Sequence, residues 1–150
     1  VVDYASDFDV KDITQSIFGL NWAHVFSGDS RISMVFSLIS GLDKPELDNS
    51  KYERDFSGFR LSLAFPWSHR FNLFASVGTT QSDYELPFSN QFSENRSDTV
   101  SDFSFGSNWR INKTWVLRGV LGVTESTSNV DLFSFDKSVV MFTARSEFLP

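Results

Sequence analysis

The chain has 150 residues, no cysteine and a formal net charge of −6. Its length suits one domain over 1–150. The missing thiols exclude a disulfide framework and thiolate metal sites, and the acidic balance argues against nucleic acid as a partner. Seventeen Phe, four Trp and three Tyr with a mean hydropathy just below zero fit β-structure with one apolar and one polar face. No apolar run approaches the length of a membrane-spanning helix.

Residues 1 to 12 begin Val-Val-Asp, with no Met, basic segment or apolar signal core, and read as the end of a strand running into an acidic loop. The first full strand is expected over 14–26, with Phe18, Leu20, Trp22, His24 and Phe26 on one face. A short Gly/Asp/Ser turn leads to a strand over 31–40, which aligns Ile32, Met34, Phe36 and Leu38. Residues 41–56 are a long polar loop. The clearest pattern follows at 57–78: Phe59, Leu61, Leu63, Phe65 and Trp67, then Phe71, Leu73, Ala75 and Val77, fall on every second position. Ser68, His69 and Arg70 reverse the chain between these arms, making an antiparallel hairpin.

A second long loop is expected over 81–99. Strands over 100–111 and 115–124 then align Phe103, Phe105, Trp109 and Ile111, and Trp115, Leu117, Leu121 and Val123. A medium loop near 125–131 precedes a last strand over 132–148, with Val140, Phe142, Ala144 and Phe148 in phase. Seven strands and a stub therefore run up and down, with short turns at one end and longer loops at the other. Outer-membrane barrels have that asymmetry.

Alternation alone does not separate a lipid-facing sheet from a soluble sandwich. Charge placement does more. All five Lys fall in loops, turns or strand ends, and Glu147 is the one Glu expected within a strand. Fifteen of the nineteen acidic residues lie in the N-terminal segment and the loops over 41–56, 81–99 and 125–131, leaving Asp29, Asp102, Asp136 and Glu147. Trp22, Phe26, Trp67, Phe71, Trp109 and Trp115 gather at the short-turn end, as in a membrane-interface girdle. Arg60, Asn72, Asn108, Arg110 and Arg118 take the opposite phase, where a barrel has its lumen. The arginines could select anions or an anionic polymer, or pair with Asp102 and loop carboxylates.

The expected fold class is thus all-β, an antiparallel up-and-down transmembrane β-barrel with seven to eight strands in this chain. Bacterial single-chain barrels have even strand numbers, so the chain reads as the C-terminal part of a larger barrel; a complete eight-stranded barrel with a short first strand is the alternative.

The closing run resembles a known family. Ser128, Asn129, Phe133, Phe135, Asp136, Lys137 and Phe148 match the last outer loop, aromatic-x-aromatic-Asp-basic run and terminal Phe of barrels attached to tetratricopeptide-repeat domains. Tyr84, Pro87, Arg96 and Asp98 resemble the preceding outer loop. The family is that of surface lipoprotein assembly modifiers and their relatives. The resemblance implies a bacterial outer-membrane barrel that helps move lipoproteins to the cell surface, with the lipid bilayer, the barrel-assembly machinery and a lipoprotein or polysaccharide substrate as partners. Related barrels export exopolysaccharide.

Asp7, Asp9 and Asp12 have no Gly between them and no closing Glu, so they read as a solvated loop and not a calcium loop. Glu46, Asp48, Glu53 and Asp55 alternate with Lys44, Lys51 and Arg54, as in ordinary surface pairing. His24 and His69 have no nucleophile in a matching context. No enzyme activity, metal or cofactor is expected. A porin-like channel and a soluble β-barrel with an apolar ligand inside are the rival functions.

Overall fold

A computed structural model of the chain describes residues 13–28, 31–45, 52–89 and 94–146. The expected N-terminal stub, Asp7, Asp9, Asp12, Glu46, Asp48, Lys51 and the terminal Phe148 lie outside the described residues. Seven strands form one sheet: β1 (Ile13–Val25), β2 (Ser33–Pro45), β3 (Arg54–Ser68), β4 (Phe71–Tyr84), β5 (Ser97–Arg110), β6 (Trp115–Ser128) and β7 (Phe135–Ser146). They pair antiparallel in sequence order, β1 to β7. A 3₁₀ turn, Asp131–Phe133, precedes β7, and among the described residues no helix is long and apolar enough to cross a membrane.

Strands form where side chains alternate, but they also run past the alternation. Residues 41–45 and 54–56, expected in a loop, continue β2 and β3 with Leu42 opposite Asp55 and Asp43 opposite Arg54. Residues 81–84, 97–99 and 125–128 likewise extend β4, β5 and β6. This corrects the expected acid distribution, since Asp43, Asp55, Asp83, Asp98 and Glu125 all lie within strands. The last strand starts later than expected, because the 3₁₀ turn takes up residues 131–133. Longer strands also shrink the turn asymmetry. The connections at one end have 7, 2 and 4 residues, against 8, 12 and 6 at the other.

Local chemistry accounts for two of the short turns. In the β5–β6 turn Asn112 Oδ1 accepts from the backbone N–H groups of Thr114 and Trp115, at 2.8 and 2.9 Å. In β3, Pro66 has no N–H to give to the ladder, and the register slips between Pro66 and Ser68. That bulge leaves Trp67 between paired neighbours and 69% exposed.

The register sorts the side chains into two faces. One face carries Leu20, Trp22 and His24 of β1, Leu38, Phe36 and Met34 of β2, and Phe59, Leu61, Leu63 and Phe65 of β3. It continues through Leu73, Ala75 and Val77 of β4, Phe103 and Phe105 of β5, Leu121 and Val123 of β6, and Val140 and Phe142 of β7. Toward the long-loop end this apolar band stops on every strand at a polar residue: Ser16 on β1, Ser40 on β2, Ser57 on β3, Thr79 on β4, Ser101 on β5, Glu125 on β6 and Ser138 on β7.

The band edge is not level across the sheet. Its uppermost residues are Phe18, Leu38, Phe59, Val77, Phe103, Val123 and Val140. Set against the pairings Leu20–Leu38, Phe59–Thr79 and Val123–Ser138, the edge descends by six residues over the six steps from β1 to β7.

Burial is confined to the other face. Asp43, Phe56, Ser82, Asp98 and Ser126 are buried there, and among the described residues the buried hydrophobic side chains are Phe56 and Val130. One-sided burial is the mark of a sheet curled toward that side. The strands at its two edges, β1 and β7, are exposed along almost their whole length.

Candidate functional site

The curled, polar face carries three successive clusters between the long-loop end and the short-turn end. The first closes the long-loop end. Asp43, 4% exposed, accepts hydrogen bonds from Gln15 Nε2 and Arg54 Nε, both at 2.7 Å, so that β1, β2 and β3 are tied together. Beside it the Arg96 guanidinium is ion-paired with Asp98 and lies between two aromatic rings, 4.3 Å from the centroid of Tyr84 and 3.2 Å from that of Phe133. Phe88 meets the edge of Phe133, and Ser126 Oγ donates to the Phe133 carbonyl at 3.0 Å.

Asn129 fastens the two connections to each other. Its Oδ1 accepts from the Ser97 N–H at 2.9 Å, and its Nδ2 donates to the Asn95 carbonyl at 2.7 Å. The residues of the two family-like loops, Tyr84, Arg96 and Asp98 with Ser128, Asn129 and Phe133, therefore meet in one place. Phe135, Asp136 and Lys137 do not join them; they start β7, with Phe135 exposed and Asp136 opposite Glu125.

The second cluster is central. Arg60 donates to both Asp102 carboxylate oxygens, at 2.8 and 2.5 Å, reaching from β3 over β4 to β5. The residue it crosses is Gly78, register partner of both; a Cβ there would stand 3.0 Å from Arg60 Nη2. Of the two roles open to Arg60, pairing with Asp102 is the one found. Arg60 is 47% exposed, so Arg60→Ala is expected to change stability by about 1 kcal/mol or less, after discounting for solvent screening. Denaturant unfolding curves check this, with the midpoint nearly unmoved.

The third cluster lies at the short-turn end. His69, Arg70, Asn72, Asn108, Arg110, Val116, Arg118, Thr143 and Arg145 line a pocket of about 480 Å³. Asn72 pairs in register with Asn108, Asn108 with Arg118, and Arg118 with Thr143. The backbone N–H of Arg110 donates to the Arg70 carbonyl at 2.7 Å. Arg118 is held 4.7 Å from the centroid of the Phe74 ring. That ring lies over Gly106, where a Cβ would collide with it.

Arg60, Asn72, Asn108, Arg110 and Arg118 thus share one face, and four of them share this pocket. Arg70 and Arg145 are additions that sequence reasoning missed.

On the opposite face Trp22 stacks on His24 at 5.6 Å between centroids, and His24 meets the edge of Phe26 at 4.6 Å. Trp67 contacts Phe65 edge-on, Phe71 pairs with Trp109, and Trp109 and Trp115 are about half exposed. His24 is therefore part of an aromatic stack, and His69 sits in the β3–β4 turn.

Compared with protein-family models, curated proteins and solved structures, the chain matches none.

Proposed function

We propose that the chain is part of an outer-membrane β-barrel that translocates material to the cell surface, with its apolar band in lipid and its polar face toward a lumen. The observation that carries this reading is the descending band edge. A displacement of about one residue per strand, with a rise of about 3.4 Å per residue and a strand spacing of about 4.8 Å, corresponds to strands inclined by about 35° to the band. That is the tilt range of membrane barrels. A soluble sheet packed on a second layer has no need for a level belt of apolar residues with polar limits on each strand.

The exposed side chains fit the same reading. Phe18, Leu20, Leu63, Phe103, Leu121 and Phe142 are all more than 40% exposed, and lipid would cover them. Transmembrane barrels have no free edge; further strands between β7 and β1 would close this sheet. The soluble alternative, an apolar ligand inside, has less support. The polar face holds ion pairs and arginines, and a hollow of about 700 Å³ is lined chiefly by residues of the opposite face, among them Phe18, Leu20, Leu38 and Phe59.

The narrower reading, assembly of surface lipoproteins, rests on the resemblance of Tyr84, Arg96, Asp98, Ser128, Asn129 and Phe133, and is supported by their meeting in one cluster. Deleting the gene and labelling surface lipoproteins on intact cells tests it; loss of label is expected. Unchanged label, with ion conductance of the purified protein in planar bilayers, would establish a porin-like channel instead. A detergent-free soluble monomer would overturn the membrane reading itself.

A further inference from the structure

We infer that the hollow at the long-loop edge of the apolar band binds one lipid whose headgroup is an uncharged sugar. The inference rests on the membrane reading proposed above, which sets this face against the bilayer. The hollow measures about 700 Å³ and follows two neighbouring rungs of the sheet. One rung pairs Leu38 with Phe59 and Phe59 with Thr79; the next pairs Phe18 with Ser40, Ser40 with Ser57, and Ser57 with Gln81. Small hydroxyl side chains thus succeed Leu38 and Phe59 toward the long-loop end, and the drop in size opens the space. Phe59 is positioned beside the ring of Phe36, at 6.3 Å between centroids.

The space is divided between two chemistries, as a lipid is. Phe18, Leu38 and Phe59 are each more than 40% exposed and offer apolar surface to an acyl chain. Ser40, Ser57, Thr79 and Gln81 offer hydroxyl and amide groups that both donate and accept hydrogen bonds. Thr79 Oγ1 lies 3.1 Å from Ser101 Oγ, and Gln81 Nε2 donates to the Asp83 carboxylate at 3.1 Å. Both side chains are therefore held before a ligand arrives, which lowers the cost of ordering them. Because the band limit falls inside the hollow, a lipid seated there has its chain at band level and its headgroup beyond it.

Charge selects the headgroup. The described lining consists of uncharged side chains. One pleat further on, and on the same face, Asp55 and Asp83 are register partners next to Ser57 and Gln81. Anionic headgroups are read by Lys and Arg, and a phosphate set beside these two carboxylates is repelled. Sugar hydroxyls meet no such repulsion; they donate to carboxylates and exchange hydrogen bonds with Ser, Thr and Gln. The volume lies within the usual range of small-molecule sites, about 300–1,000 Å³. Across β6 and β7 the same band limit is different in kind, because Glu125 stands opposite Asp136 there.

The test uses the full-length protein reconstituted in phosphatidylcholine vesicles with equal minor amounts of digalactosyl diacylglycerol and phosphatidylglycerol, matched in acyl chains. Native mass spectrometry after release into detergent counts the lipids retained. Retention of one galactolipid per protein, at least fivefold over phosphatidylglycerol, is expected. Ser57→Trp fills the hollow and should remove the preference, and Gln81→Ala should weaken it by a smaller factor. Ser138→Trp, at the band limit of β7, should stay within twofold of wild type.

Equal retention of the two lipids by the wild type overturns the inference, as does a preference for phosphatidylglycerol. Both results leave the membrane reading standing, because the protein is in the vesicles. Failure to enter vesicles at all is a separate result, which removes the membrane reading and the inference with it. An equal loss in Ser57→Trp and Ser138→Trp overturns the assignment to this hollow. A dimer mass that Ser57→Trp abolishes overturns it too, and gives the hollow to a second copy of the chain. The wild-type comparison decides even where a variant does not fold.

Discussion

Leu63→Arg is expected to abolish the folded, membrane-inserted form. Leu63 lies in the middle of the apolar band, with Met34 and Ala75 as register partners on its two sides, and is 41% exposed. An arginine facing lipid at mid-depth costs about 2–4 kcal/mol, a large share of the roughly 5–15 kcal/mol that holds a domain together. In a soluble protein the same half-exposed position would accept Arg within about 0.5 kcal/mol. Ser57→Arg is the matched control. It lies on the same strand and face, opposite Ser40 and Gln81, but above the band edge. Migration of unheated and heated samples on gels reports the folded barrel. The expected result is loss of the heat-dependent shift for Leu63→Arg and its retention for Ser57→Arg. A normal shift in Leu63→Arg would refute the lipid assignment.

The two faces of this sheet were legible because strand periodicity is written into adjacent residues. Phe59, Leu61 and Leu63 alternate with Arg60 and Ser62, and the register sets them beside Leu38, Phe36 and Met34 on one side and Thr79, Val77 and Ala75 on the other. The strand ends were not legible. At 41–45, 81–84 and 125–128 polar residues occur on both faces, so the period fades while pairing continues. What holds those ends lies far away in the chain, as Gln15 does from Asp43, 28 residues on.

Arg60 and Asp102 could be matched by phase, but Gly78, which clears the path between them, has no meaning until β4 is placed between β3 and β5. The basic pocket was half legible. Arg110 and Arg118 follow the polar phase of their strands, whereas Arg70 belongs to a turn. Arg145 follows Val139 and Met141 on a strand whose two faces are both apolar and so hide the phase. The cluster around Arg96 joins residues 84, 96 and 133, a juxtaposition created by two connections folding together, and no local pattern encodes that.

Arg96→Ala is expected to open the long-loop end without unfolding the strands below it. The side chain of Arg96 is 16% exposed and that of Asp98 9%, so the substitution leaves a nearly buried carboxylate without its main counter-charge. Losing one member of a fully buried pair costs about 3–5 kcal/mol; with residual exposure about 2–4 kcal/mol is the expected scale. The contacts to Tyr84 and Phe133 are lost as well. Limited proteolysis should therefore cut the variant within 85–96 and 129–134, while the wild type resists.

The pH dependence has a definite sign. Asp98 sits beyond the apolar band. Burial by itself would raise its pKa, but hydrogen bonds from Arg96 and Ser128 and the nearby charges of Arg96 and Arg54 outweigh it and hold the pKa below the usual 3.8. A lowered folded-state value means that the contribution is complete above the usual value and is lost as pH falls through the lower one. Wild-type protection should thus persist at pH 4 and fail only in stronger acid. In Arg96→Ala the chief lowering influences are gone and burial dominates, so protection should fail at higher pH. Adding Asp98→Asn to Arg96→Ala should restore part of the protection, because a buried amide needs no counter-charge. A purely steric role for Arg96 gives no such rescue, since the space between Tyr84 and Phe133 stays empty in both variants.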